Sequence, residues 1–198
     1  MTDAEPQLQP PGAGLPRAEL FFSRLGFRLA TPFLSRQRAS RWVRSEADRM
    51  LARVRTLAPA DAARRVLVPR LSGLEDSSRY WSALMTLEHF VIVNTAVAGI
   101  IEALAAGRAL PVVVSTADVK PSATADASMV ARFEAATNDY LARVGALPDL
   151  RSKVTHRHPW FGELTALGWH RLSPLHHRIH RRQIERIIRG LKREPVRV

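Results

Sequence analysis

Between Ser77 and Gly107 the chain carries Trp81, Leu84, Met85, Leu87, Phe90, Val91, Ile92, Val93, Val97, Ile100, Ile101 and Leu104 with few polar interruptions. The pattern predicts a helix from about Ser77 to Ala106. Ser72-Gly-Leu-Glu-Asp-Ser-Ser78 supplies the turn and cap chemistry that opens it, and Gly107 stops it. A helix that is apolar on most faces has to be buried on most faces. A chain organised round such a helix must also supply partners with matching apolar stripes.

Three further segments have that character. From about 39 to 57, Val43, Ala47, Met50, Val54 and Leu57 recur at threes and fours with arginines opposite, and Pro59 ends the run. From about 122 to 147, Met129, Val130, Phe133, Ala136, Tyr140, Leu141 and Val144 form an inward stripe, ended by Pro148. From about 165 to 190, Leu172, Ile179, Ile187 and Ile188 recur among arginines, with Gly190 as the stop. Pro174 either kinks this last helix or starts a new one, with Ser173 as its cap. Between these segments, Val66-Leu-Val-Pro69 reads as a short extended piece and Val112-Val-Val114 as a β-prone run in a loop. Arg151 to Gly162 reads as a loop. The expected fold is therefore all-α, a four-helix bundle over 39–198.

Residues 1–38 form an N-terminal arm. The first sixteen are proline-rich and are expected to be disordered. Leu20 to Leu34 mixes Leu20, Phe21, Phe22, Leu25, Phe27, Leu29, Phe33 and Leu34 with Arg24 and Arg28, and Arg36 lies just beyond. Such a segment lies on a membrane as a basic amphipathic helix, or packs on the domain's own core or on a second subunit. Its apolar residues do not fall cleanly on one stripe, which favours packing and leaves room for a homodimer.

Composition narrows the function. The chain has no cysteine, which rules out disulfides, thiolate catalysis and cysteine-held zinc, so any metal must be held by His, Asp or Glu. No apolar run reaches the length of a membrane span, and the N-terminus lacks a basic segment followed by an apolar one; a cytoplasmic protein is expected. The formal charge is +12, and all but three of the 30 basic residues are arginine. These arginines are dispersed through every segment with few aromatics among them, so specific nucleic-acid binding is not expected.

Histidines carry the chemistry. His176 and His180 sit four apart, so their rings lie one turn apart on one helix face, where two imidazoles can hold one ion. The same pair could equally be solvated. His89 lies in the middle of the most apolar helix, where a neutral imidazole needs a partner. A backbone or hydroxyl group such as Ser82 or Thr86 would do for a core histidine. His176 and His180, however, continue the inward stripe of Trp169 and Leu172 through Gln183 to Ile187. Both histidine sites therefore point at one interior. Three imidazoles from two helices leave coordination positions open to water or substrate, as in catalytic rather than structural sites.

Trp81-Ser82, Met85-Thr-Leu-Glu-His89 and His176-x-x-x-His180-Arg-x-Gln-Ile184 together resemble the pattern of the DinB-like (damage-inducible) metal-binding four-helix bundles. His158-Pro159-x-Phe-Gly162 looks like the loop of one branch of that family. The likeness covers about Ala39 to Leu191. It implies that His89, His176 and His180 are the ligands of a divalent metal ion (zinc, nickel or iron), held by a four-helix bundle. It further implies kinship with thiol-dependent transferases and isomerases that use mycothiol or bacillithiol. On this reading the protein is a divalent-metal-dependent enzyme, a thiol-dependent transferase or a hydrolase, acting on a small molecule with a low-molecular-weight thiol as candidate co-substrate. Gln183 is placed to orient His180, and His158 and Trp160 to form the pocket rim. No general base stands out from the sequence; Glu163 is a weak candidate, and a cap or loop role suits it better. His177 reads as a helix-surface or supporting residue. Two alternatives remain: a purely structural metal, and a basic non-enzymatic protein that binds nucleic acid or an acidic surface on a four-helix scaffold.

Overall fold

The computed structural model describes residues 5–111 and 115–193 and contains six α-helices among them: α1 (Arg17–Ala30), α2 (Arg36–Val54), α3 (Pro59–Ala63), α4 (Ala83–Ala105), α5 (Met129–Ala146) and α6 (Ala166–Arg193). Helices α2, α4, α5 and α6 form the bundle, with α4 against α5 and α6, and α2 against α5 and α6. Two antiparallel ribbons decorate it. β1 (Val66–Leu67) pairs with β2 (Tyr80–Trp81), and β3 (His156–His158) pairs with β4 (Gly162–Leu164). The β-prone run Val112-Val-Val114 lies outside the described residues.

Helix α4 is long and apolar enough to cross a membrane by length and composition, but two thirds of that apolar window is buried inside the bundle. Its Leu84, Leu87 and Phe90 pack with Met50 of α2, Phe133 of α5 and Ile184 of α6. At the other end Ile101 and Leu104 pack with Val43, Tyr140, Val144 and Trp169. A third cluster joins Val68, Leu71 and Leu74 to Ile187 and Leu191 of α6.

The helix ends depart from the sequence reading for identifiable reasons. Ser82, not Ser77, caps α4: its Oγ accepts from Met85 N at 3.0 Å. Ser77 and Ser78 lie instead in a 3₁₀ turn, and Trp81 lies on β2 rather than in the helix. The far end is a Schellman stop, with Gly107 N bonded to Leu104 O, Arg108 N to Ala103 O, and Gly107 at φ +72°. Helix α5 begins at Met129 because Ser122 Oγ takes the N–H of Thr124 and Asp126 Oδ1 that of Ser128, local bonds that compete with the helix. Ser35 caps α2 three residues before the expected start. Residues 156–164, expected as loop, form the β3–β4 hairpin.

Pro174 neither breaks α6 nor starts a new helix; α6 runs through it for 28 residues. An interior proline costs about 3 kcal/mol. Here it is offset by burial of Trp169, His170, Leu172, Ser173, Pro174 and His177 around it. Gly190 is likewise not a stop. A Cβ there would lie 2.5 Å from Val66 Cγ1, so the glycine lets β1 cross the helix at close range.

The arm is tied to the bundle. Within the segment expected to be disordered, Gln9 N donates to Asp76 Oδ2 at 2.9 Å, and Gly12 N and Gly14 N donate to Glu75 Oε1 at 2.9 and 3.1 Å. Helix α1 buries only Phe27, whose ring packs 5.0 Å from that of Phe161, and Glu19 accepts from Gly73 N at 2.5 Å.

An ion pair inside the bundle fastens α2 to α6. Glu46 is buried and is held by the Arg181 guanidinium and by Trp42 Nε1 at 3.0 Å. Burial alone would raise its pKa; the bonds from Arg181 and Trp42 outweigh this and hold it below the usual carboxylate range. Glu46→Ala leaves the Arg181 guanidinium paired with Glu185 alone and Trp42 Nε1 without its acceptor, so urea unfolding at pH 7 should show a loss of about 2 kcal/mol, below the cost of a fully stranded buried charge. A loss below about 1 kcal/mol would mean the pair is solvated.

Candidate metal centre

His89 on α4 and His176 and His180 on α6 meet in the bundle interior, with one ligand atom of each within 4.8 Å of the others. His89 Nε2 lies 3.2 Å from His176 Nε2, and His180 Nε2 lies 3.0 Å from it. His89 Nδ1 faces the carbonyl of Val119 at 2.6 Å, so it carries the ring proton and leaves Nε2 as a bare lone pair. His180 is fixed through Gln183. The Gln183 amide donates from Nε2 to Ser78 O at 2.6 Å, which turns its Oε1 toward His180 Nδ1 at 2.7 Å. That nitrogen is therefore the N–H, and His180 Nε2 is also bare.

Two lone pairs thus converge on His176 Nε2, which can donate to only one of them. Protonating the cluster is costly. Burial pushes His89 down to about 4, with Lys120 and His177 adding to the effect. Burial also drives His176 and His180 well below the ordinary imidazole range, with the neighbouring imidazoles adding to it. A cluster of neutral nitrogens that resists protons suits a metal cation. Two nitrogens each about 2.1 Å from one ion lie about 3.0 Å apart at a right angle and about 3.4 Å at the tetrahedral angle. The two separations to His176 Nε2, 3.2 and 3.0 Å, fall in this interval, and the third pair lies within 4.8 Å.

The supporting groups lead back to one buried carboxylate. Glu75 accepts from Gly12 N, Gly14 N, Ser77 Oγ, Thr116 Oγ1 and Lys120 Nζ. Burial by itself raises its pKa, but these bonds, from Ser77 first and then Gly14 and Lys120, hold it low. Lys120 Nζ also donates to Ser77 Oγ at 2.6 Å and Ser78 Oγ at 2.8 Å. The Glu75–Lys120 pair therefore pins both Val119, which orients His89, and Ser78, which holds Gln183 and through it His180. Neither residue stood out in the sequence, because a lone Glu in a turn and a lone Lys in a loop carry no spacing signal.

A cavity of about 430 Å³ opens from the three histidines and is walled by Trp81, Val97, Trp160, Phe161 and Leu172, with Arg178 and Arg182 also on its lining. Trp81 stacks on His180 with ring centroids 5.8 Å apart. His158 and Trp160 line the cavity as well. His158 also ties the hairpin turn, its Nδ1 accepting from Trp160 N at 3.0 Å and Phe161 N at 3.3 Å. His177 is not at the surface but buried. Its ring lies against Phe90 at 4.1 Å, and its Nδ1 donates to Ser173 O at 2.8 Å. Glu163 is exposed on β4 and bonded to Thr155 Oγ1, away from the cavity, and is not placed to act as a base.

A second buried histidine network went unread in the sequence. His170 donates from Nε2 to Arg36 O at 3.2 Å, and Tyr140 Oη donates to His170 Nδ1 at 2.8 Å. Ser173 Oγ lies 2.9 Å from Tyr140 Oη. This cluster ties α2, α5 and α6 together behind the metal centre.

No protein-family model matches the chain, and no curated protein matches it. The chain is similar to a solved structure described as TT2238, a four-helix bundle protein. Identity is 23%, the TM-score is 0.55, and the match covers 76% of this chain and 98% of that one. The likeness supports the all-α bundle.

Removing the amide that orients His180 tests the support. Gln183→Leu should keep the helical circular dichroism signal and lower zinc affinity about 10–100-fold in competition with a chelator, the usual effect of losing such a partner. Unchanged affinity would show that His180 needs no orienting group. The His170 network gives a pH signature. Burial pushes His170 down to about 4, so between pH 6.5 and 4 the unfolded chain takes up a proton that the folded chain refuses. Stability is full above about pH 6.5 and falls as the pH drops toward 4, by up to about 3 kcal/mol from this residue. In urea titrations of metal-free protein, His170→Asn should flatten that part of the slope; an unchanged slope would place the acid sensitivity elsewhere.

Proposed function

We propose that the protein is a divalent-metal-dependent enzyme of the DinB-like type, with His89, His176 and His180 as its ligands. The observation that carries this reading is the convergence of two bare Nε2 lone pairs on a third imidazole inside a desolvated bundle. A metal cation satisfies both lone pairs and the third imidazole at once, and the depressed imidazole pKa values make a metal ion better suited to the site than a proton. The ion would supply Lewis acidity, lowering the pKa of a water or thiol that reaches it or polarising a carbonyl.

The chain's own residues do the rest. Val119 O and Gln183 fix the tautomers of His89 and His180, so both nitrogens face the cavity without rearrangement. Trp81, Phe90 and the hairpin aromatics keep bulk water from the ring edges, which strengthens any charge interaction there. A cavity of about 430 Å³ with an apolar wall fits a small organic molecule, and Arg178 and Arg182 on its lining favour one bearing an anionic group. A low-molecular-weight thiol as co-substrate, in a transferase, agrees with the DinB-like resemblance; hydrolysis uses the same site with water. The apolar core round α4 gives the bundle a source of stability apart from the histidines, which favours a catalytic over a structural ion.

Metal analysis of protein purified without a histidine tag should find about one divalent ion per chain. His89→Ala and His180→Ala should each lose most of it while retaining the helical signal. Full stoichiometry in either variant would remove that residue from the ligand set. Melting of the helices on chelation alone would make the ion structural and defeat the enzyme reading.

A further inference from the structure

Helix α1 is apolar on the side that faces away from the protein. Phe21, Leu25 and Leu29 recur at spacing four with Phe22 beside them, about 180° round the helix from the buried Phe27. Their exposures are 63% for Phe21, 67% for Phe22, 43% for Leu25 and 65% for Leu29, and Phe33, in the 3₁₀ turn that follows, is 80% exposed. Apart from these five, Leu67 is the one large hydrophobic residue left exposed among the described residues. The segment failed to read as one stripe because it carries two: an inner one through Leu20 and Phe27, and this outer one.

One flank of the outer stripe is basic. Arg17, Arg24 and Arg28 lie along the same side of α1, and Arg17 and Arg28 are exposed and make no ion pair among the described residues. The acidic residue of the helix, Glu19, is turned inward to Arg70 and Gly73 N. Across the cavity that α1 helps to wall, Arg178 and Arg182 of α6 are exposed too, with no ion pair among the described residues. An apolar stripe bordered by unneutralised arginines is the surface that an anionic lipid headgroup layer complements.

We propose that the outer face of α1 docks the protein onto an anionic bilayer surface, with Phe21, Phe22, Leu25, Leu29 and Phe33 entering the acyl boundary and Arg17 and Arg28 at the headgroups. A second copy of the chain fits the face less well. A 14-residue helix offers an outward strip on the order of 300 Å², against about 800 Å² per partner for a standard interface. An antiparallel two-fold pairing would also bring the arginine flanks of two copies together. Phe22 belongs both to the stripe and to the cavity wall, so docking sets the cavity's rim at the bilayer.

Co-sedimentation of the full-length protein with vesicles tests this. Wild type should bind vesicles of phosphatidylcholine and phosphatidylglycerol, in about a three-to-one ratio, about tenfold more strongly than vesicles of phosphatidylcholine alone. The triple variant Phe21→Ser, Leu25→Ser, Leu29→Ser changes side chains that face solvent, so its melting curve should match wild type while binding falls about tenfold or more. Arg17→Glu with Arg28→Glu should abolish the preference for the anionic vesicles, and Leu67→Ser, on the β1 ribbon, should change nothing. Equal sedimentation of wild type and the triple variant would overturn the proposal. So would a wild-type dimer, seen by light scattering, that the triple variant turns into a monomer without any vesicle binding. The assay needs no bound metal, so its outcome is independent of the metal-site reading.

Discussion

Burial of α4 is the constraint from which the rest of the structure follows. Leu84, Leu87, Phe90, Ile101 and Leu104 cover most of its circumference with apolar side chains, so α2, α5 and α6 enclose all but a narrow strip round Thr95 and Ala96. Enclosure carries His89 out of solvent together with its apolar neighbours. The α6 stripe that seals this side brings His176 and His180 to the same place, because Trp169, Leu172, Gln183 and Ile187 on the same helix are buried with them. The bundle's hydrophobic packing thus assembles three imidazoles whose desolvation would be unfavourable on its own.

That cost is met by polar groups from outside the bundle. The turn 75–78 meets α6 at Gln183 and the loop 115–120 meets α4 at His89, and the Glu75–Lys120 pair locks the two segments together. Through Val119 and Ser78 this lock decides which nitrogen of His89 and His180 is bare. The same carboxylate holds Gly12 and Gly14, so the arm and the histidine cluster are anchored to one group. A change at Glu75 would therefore reach both the histidine tautomers and the seating of the arm, although the residue does not touch the imidazoles.

The arm adds a surface that the bundle does not need for its own stability. Phe27, Arg24 and Glu19 hold α1 in place with one aromatic contact and a few polar ones, while the larger apolar area of the helix is turned outward. An exposed apolar strip of this kind marks an interaction surface. It runs along the wall of the cavity that opens from the three histidines.

The sequence by itself determined the four bundle helices and the stop at Gly107. Their apolar periodicity is a local property, as is the Gly107 stop, and the core agrees with both. It also marked His89, His176 and His180, because a four-residue spacing on one helix and a polar residue in an apolar one are visible without coordinates. Tertiary structure decided what local pattern could not. It moved the start of α4 from Ser77 to Ser82, because β2 pairs with β1 and claims Tyr80 and Trp81. It carried α6 through Pro174 and Gly190, because packing on both sides outweighs the lost hydrogen bond and β1 needs the missing side chain. It chose Glu75, Lys120 and His170 as supporting groups, since their partners lie tens of residues away in the chain. It also turned α1 inside out, because which of two apolar faces is buried depends on what the rest of the chain leaves open to cover.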